Sequence, residues 1–138
     1  DLQPAWSPDG RRIAFATARF SSRLNILDMG PYRLALIDPA GGRISPTPFQ
    51  EGKHINPQWA PDGESLYFIG DRDGIPNVYR LSLRDTSIRP VTALSTGISG
   101  ITATSPALSV ASRSGLVAAS VYDDGRYDIY ALSTAEPP

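Results

Sequence analysis

Apolar and polar positions alternate along most of this 138-residue chain. Ile13, Phe15 and Thr17 alternate with small residues. Leu66, Phe68 and Gly70 alternate with Tyr67 and Ile69. Val78, Arg80 and Ser82 alternate with Tyr79, Leu81 and Leu83. A period of two, in aromatic and branched residues, predicts strands. No long window carries a helical period. The stretch from Arg19 to Met29, "RFSSRLNILDM", comes nearest and predicts one helical turn at most.

The strand pattern repeats. "PAWSPDG" at Pro4–Gly10 returns as "PQWAPDG" at Pro57–Gly63. "RRIAFAT" after the first matches "ESLYFIG" after the second, and "YRLALID" at Tyr32 matches "YRLSLRD" at Tyr79. A third copy is degraded. "SPALSVASRSG" at Ser105 stands in the place of "NPQWAPDG", followed by "LVAASVY" and "YDIYALS". A period of about fifty residues belongs to propeller blades rather than to short helical repeats. Ser7-Pro8-Asp9-Gly10 reads as a hairpin turn: Pro presets φ, Asp suits the next position, and Gly takes the left-handed one. Ala60-Pro61-Asp62-Gly63 repeats it. The Trp before each turn is a large apolar plug expected between neighbouring blades, with Leu108 in that place in the third unit. Phe15, Phe68, Tyr67, Tyr79 and Tyr130 read as core between blades.

These strings, with "GDRDGIPNVYRL" and "DDGRYDIYAL", resemble the PD40 repeats of TolB-like β-propellers, a WD40-like group. The resemblance covers nearly the whole chain and is stronger in the first two units than in the third. It implies an all-β fold of four-stranded antiparallel blades. The first blade is expected at residues 1–50, the second at 51–95 and a degenerate third at 96–138. The expected strands are Leu2–Trp6, Arg12–Ala18, Arg33–Asp38 and Arg43–Pro48, then Asn56–Ala60, Ser65–Gly70, Asn77–Arg84 and Arg89–Ala93. Ser105–Val110, Leu116–Tyr122 and Tyr127–Leu132 complete the set, and "STAEPP" is too short and Pro-rich for an outer strand. Three blades cannot close a ring, and an open stack leaves apolar faces bare at both ends. The expectation is therefore a segment of a six- to eight-bladed ring, completed by the remaining blades of a parent chain. The rival is self-association of two copies into six blades.

Composition narrows the function classes. Thirteen basic residues face fourteen acidic ones, so no global field draws in nucleic acid or an anionic membrane. The absence of Cys removes disulfides, thiolate nucleophiles and Cys-based metal sites. No apolar run is long enough to span a bilayer, so no membrane insertion by this segment is expected. The chain starts at Asp1 without a Met, which reads as a processed or excised segment.

Chemistry is expected on one face, where the loops from the second to the third strand of each blade meet those between blades. The first blade carries an insertion at 19–31, and "ALSTGISGITATSP" before the third blade is also long. Long loops on a regular scaffold are where binding tends to reside. The candidate binding residues are Arg19, Arg23, Lys53, His54, Asn56, Asp71, Arg72, Asp73, Ser99, Thr102 and Asp124. His54, the sole His, is read as a loop residue hydrogen-bonded near the channel mouth, since no second His, Cys or tight carboxylate cluster supports a metal or a general base. "DRDG" at Asp71 has a faint calcium-loop look but lacks the distal Glu, and reads as a turn. "GISGI" at Gly97 misses a nucleophile elbow by one position. No catalytic residue, metal ligand or cofactor is expected. The first function reading is a non-catalytic scaffold for a protein or peptide partner. By resemblance it lies in the periplasm or cell envelope, with a lipoprotein as one such partner. Two alternatives stand beside it: a gating propeller of a prolyl-oligopeptidase-type serine peptidase whose catalytic domain lies elsewhere, and a structural segment of a large surface protein.

Overall fold

The computed structural model describes residues 1–48, 51–102 and 105–134. Eleven strands form three antiparallel sheets, each a run of sequence neighbours. The first blade holds β1 (Leu2–Trp6), β2 (Ile13–Thr17), β3 (Arg33–Ile37) and β4 (Ile44–Pro46). The second holds β5 (His54–Trp59), β6 (Ser65–Gly70), β7 (Asn77–Ser82) and β8 (Ile88–Pro90). The third holds β9 (Leu108–Val110), β10 (Val117–Asp123) and β11 (Arg126–Leu132). Ser133 and Thr134 form no strand, and the remainder of "STAEPP" lies outside the described residues, as do the expected blade limits 49–50. The single helical turn among the described residues is a 3₁₀ turn at Leu24–Ile26, inside the expected insertion.

The two Pro-Asp-Gly motifs make the turns their residues dictate. Gly10 N–H donates to Ser7 O and Gly63 N–H to Ala60 O, with φ of 69° and 66° at the glycines. Seven residues upstream of each turn's glycine, the chain bulges. Gln3 and Asn56 take φ of 54° and 58°, and the β1–β2 and β5–β6 registers shift there. An extra residue in one strand sharpens the local twist. The first bulge is also a joint: Asn56 N–H donates to Gln3 Oε1 at 2.8 Å, and Gln3 Nε2 donates to Thr102 O at 3.1 Å.

The two Trp plugs differ. Trp59 is 6% exposed and packs on the first blade with Ala14 and Leu34. Its indole N–H donates to Ala5 O at 2.9 Å, and the Arg12 guanidinium covers the ring at 4.9 Å while donating to Gly63 O. Trp6 is 59% exposed, because no blade packs on that side of the first sheet among the described residues. The plug thus seats on the blade before its own. In the third blade the register moves the plug position. Val110 pairs with Val117 as Trp59 pairs with Leu66, and Ala111 N–H donates to Leu116 O as Ala60 N–H donates to Ser65 O. Val110, not Leu108, stands where Trp59 stands. Tyr130 is likewise no core residue: it is 46% exposed on β11, whereas Phe15, Phe68, Tyr67 and Tyr79 are buried.

Candidate functional site

The β2–β3 insertion is ordered by its own side chains. Arg23 and Asp28 exchange two backbone hydrogen bonds and an ion pair at 2.7 Å. Ser21 Oγ donates to Pro31 O, and Gly30 N–H donates to Ser22 Oγ. The closed loop lifts Leu24, Ile26, Leu27 and Met29 into solvent, with Leu27 86% exposed at a φ of 54°. A left-handed leucine is an unusual expense for an exposed tip. Arg19, at the loop's base, pairs with Asp1 and reaches over Phe15.

The far end of the loop borders the second blade, where His54 N–H donates to Tyr32 O at 2.8 Å. His54 is not a loop residue. It opens β5 and is 3% exposed, its ring tilted on Phe68 at 4.5 Å. Phe68 in turn stacks on Tyr79, whose hydroxyl donates to Asp73 at 3.3 Å. These rings line a cavity of about 230 Å³ with Glu51 and Arg72. Burial pulls the His54 pKa down to about 4, so the ring is neutral at pH 7. Burial, then the adjacent Asp73, pushes the Tyr79 hydroxyl up, so it stays a donor. The cavity therefore offers neutral aromatic walls under an Arg72–Glu51 rim.

The other candidates divide between joints and surface. Asn56 is buried in the β5 bulge, with no hydrogen-bonding partner for its amide side chain among the described residues. Lys53 and Asp71 tie the start of β5 to the β6–β7 turn, Asp71 accepting from Lys53 N–H at 2.7 Å. Asp71 and Asp73 thus serve different partners. Ser99 N–H donates to Ser120 O, its Oγ accepts from Tyr122 N–H, and Thr102 Oγ1 accepts from Ser105 N–H, so these two stitch the connection before the third blade. Gly97 is required there: a Cβ would stand 2.8 Å from Pro76 O. Asp124 lies exposed in the β10–β11 turn with a φ of 47°. Among the described residues no group of three His, Asp or Glu is placed to hold a metal ion, and no helix is long and apolar enough to cross a membrane. The structure brings Lys53, His54, Asp71, Arg72 and Asp73 together and leaves Arg19, Arg23, Ser99, Thr102 and Asp124 apart from that cluster. Sequence reasoning singled out charges and missed the apolar loop tip and Tyr79. The tip's signal was "LNILDM", an apolar run with no strand or helix period to absorb it.

No family model matches the chain. In structure it is similar to TolB from Acinetobacter baumannii, with a TM-score of 0.76 and 18% identity over 96% of this chain and 30% of that one. It is similar also to a TolB-type protein of Agrobacterium tumefaciens, with a TM-score of 0.74 and 18% identity over 97% of this chain and 47% of that one. A gluconolactonase from Xanthomonas campestris aligns with a TM-score of 0.60 and 16% identity, over 95% of this chain and 46% of that one. In sequence, dipeptidyl-peptidase 5 of Porphyromonas gingivalis is 29% identical over 101 residues, which is 67% of this chain and 13% of that protein. The fold is that of a TolB-like β-propeller. The chain spans less than half the length of each of these proteins.

Proposed function

We propose that this chain is a non-catalytic propeller module in an envelope protein, and that it holds a protein or peptide partner on its loop face. The ordered apolar tip at Leu24–Met29 carries this reading. Exposed aliphatic side chains cost solubility, and a loop fixed before binding loses little entropy when it docks. The aromatic cavity around His54 and Tyr79 borders the tip and offers a second contact. His54, neutral and packed on Phe68, supports a contact role for this ring. The envelope setting rests on the TolB-like fold and on the repeat motifs.

A photo-crosslinking amino acid at Leu27 in the source cells tests the reading, with Ala40 on the opposite edge as control. The expected result is one adduct of defined mass from position 27, absent from position 40 and abolished by Leu24→Asp. Equal adducts from both positions, or none from 27, would sink it. The similarity to a dipeptidyl-peptidase favours a second reading, in which these blades gate an active site carried elsewhere. Labelling of the parent protein by a fluorophosphonate would support that second reading.

A further inference from the structure

The second and third blades carry the same cavity on the face turned to the preceding blade, and they fill it differently. Register sets Val117, Ala119, Tyr130 and Leu132 in the places of Leu66, Phe68, Tyr79 and Leu81. In the second blade the Phe68 ring lies between Tyr79, at 5.8 Å, and His54, at 4.5 Å. About 230 Å³ remains beside it. In the third blade that place belongs to Ala119, and no ring lies against Tyr130 among the described residues. The cavity there is larger, about 340 Å³. An outer strand does not close such a cavity, since Ile88 of β8 lines the one in the second blade and leaves its space.

The walls of the larger cavity are fixed in advance. Asn77, 8% exposed, grips the connection that follows β8. Its Oδ1 accepts from Thr92 Oγ1 at 2.8 Å and from Leu94 N–H at 2.9 Å, and its Nδ2 donates to Leu94 O at 3.3 Å. Further on, Ile98 N–H donates to Pro76 O and Ser99 N–H to Ser120 O, so the connection is tied to both blades. Leu94 and Ile98 line the cavity from this side, and Ala119, Val121 and Leu132 from the third blade. One charge stands on the lining among the described residues, that of Asp123. Asp123 is exposed and has no ion-pair partner among them, whereas Asp128 is taken by Arg126. A preformed apolar cavity with a few placed polar groups is the usual form of a small-molecule site.

We propose that this cavity binds a small aromatic amine, with its ring on Tyr130 over Ala119 and its ammonium paired with Asp123. Phe68 on Tyr79 shows which group fits the place. A cavity of about 150 Å³ holds benzene, so 340 Å³ takes one ring and a short chain. Ala119 and Asp123 lie on β10 on the same side of the sheet, about 13 Å apart along the strand. A ring, a short alkyl chain and the reach of the carboxylate together span that length. The carboxylate, without a cation on the lining to oppose it, selects the amine over an acid of the same shape. The inference rests on residues apart from the Leu24–Met29 tip and the His54 cavity, so its failure leaves the loop-face reading standing.

Saturation-transfer NMR on the full-length protein, with 3-phenylpropylamine as the probe, tests it. The expected result is transfer to the ring protons, with a Kd of about a millimolar or below, as a ligand of this size can reach. Ala119→Phe fills the place of the ring and should abolish the transfer. Circular dichroism checks that this variant keeps the strand spectrum. If it does not fold, Tyr130→Ala, at a half-exposed position, should raise the Kd about fivefold through loss of the stacked ring. Asp123→Asn should weaken the amine about threefold, as loss of an exposed ion pair does, and leave 3-phenylpropanol unchanged. No transfer from the parent protein overturns the proposal. So does transfer that survives both Ala119→Phe and Tyr130→Ala, or 3-phenylpropanoate held as tightly as the amine.

Discussion

Trp59 and His54 show how single residues hold this stack. Trp59 fills a floor of alanines and satisfies its indole on Ala5 O. Truncation to Ala removes a large buried ring and leaves Arg12 without its stacking partner. It should cost about 3–5 kcal/mol, read as a fall in thermal midpoint of roughly 10 °C or more. Trp59→Val paired with Ala14→Tyr mimics the interface under Val110 and should recover part of that loss. If the double variant is no better than the single one, volume exchange is not what matches the blades. His54 adds a pH dependence whose sign follows from burial. Its folded pKa, about 4, lies below its unfolded value of 6.5. Its contribution is full above 6.5 and is lost as pH falls toward 4, at up to about 1.4 kcal/mol per unit. Denaturant midpoints measured between pH 7 and 4 should fall more steeply for the parent than for His54→Gln. Parallel curves would contradict the buried, neutral ring.

At the scale of elements, the joints between blades matter as much as the strands. Gln3 connects the first bulge to the second and to Thr102 by two hydrogen bonds. Gln3→Ala leaves the amide of Asn56 unpaired beside a buried side chain and should cost about 1–3 kcal/mol. Hydrogen exchange would then quicken at Asn56 and in the connection around Thr102, and leave β6 and β7 unchanged. Uniform quickening would mean that Gln3 is no local joint. The Arg23–Asp28 pair is exposed, and its loss should cost at most about 1 kcal/mol. Asp28→Ala should therefore leave the midpoint nearly unchanged while loosening the loop tip in the same exchange experiment. The strands were legible because period-two patterning and the Pro-Asp-Gly turns are local signals, and β1 and β6 fall on their expected limits. The plug of the third blade was not, because "VASRSG" lacks the Pro-Asp-Gly anchor, so spacing from Pro106 points to Leu108 while strand pairing sets Val110 opposite Val117. The site was half legible. Asp71, Arg72 and Asp73 follow from loop position, but the burial of His54 depends on Phe68 on the neighbouring strand and Tyr79 on the one beyond it.

At the scale of the molecule, the chain is an arc of three blades with a loop face on one side and an apolar blade face at each end. The blades are matched by the plug: Trp59 seats on the first blade with its indole bonded to Ala5 O, while Trp6 stands in solvent. Tryptophan fluorescence reads that seating directly, because each Trp→Phe variant leaves a single emitter. The account predicts a blue-shifted emission that iodide quenches weakly in Trp6→Phe, and a red-shifted, readily quenched one in Trp59→Phe. Equal emission and equal quenching in the two variants would contradict it.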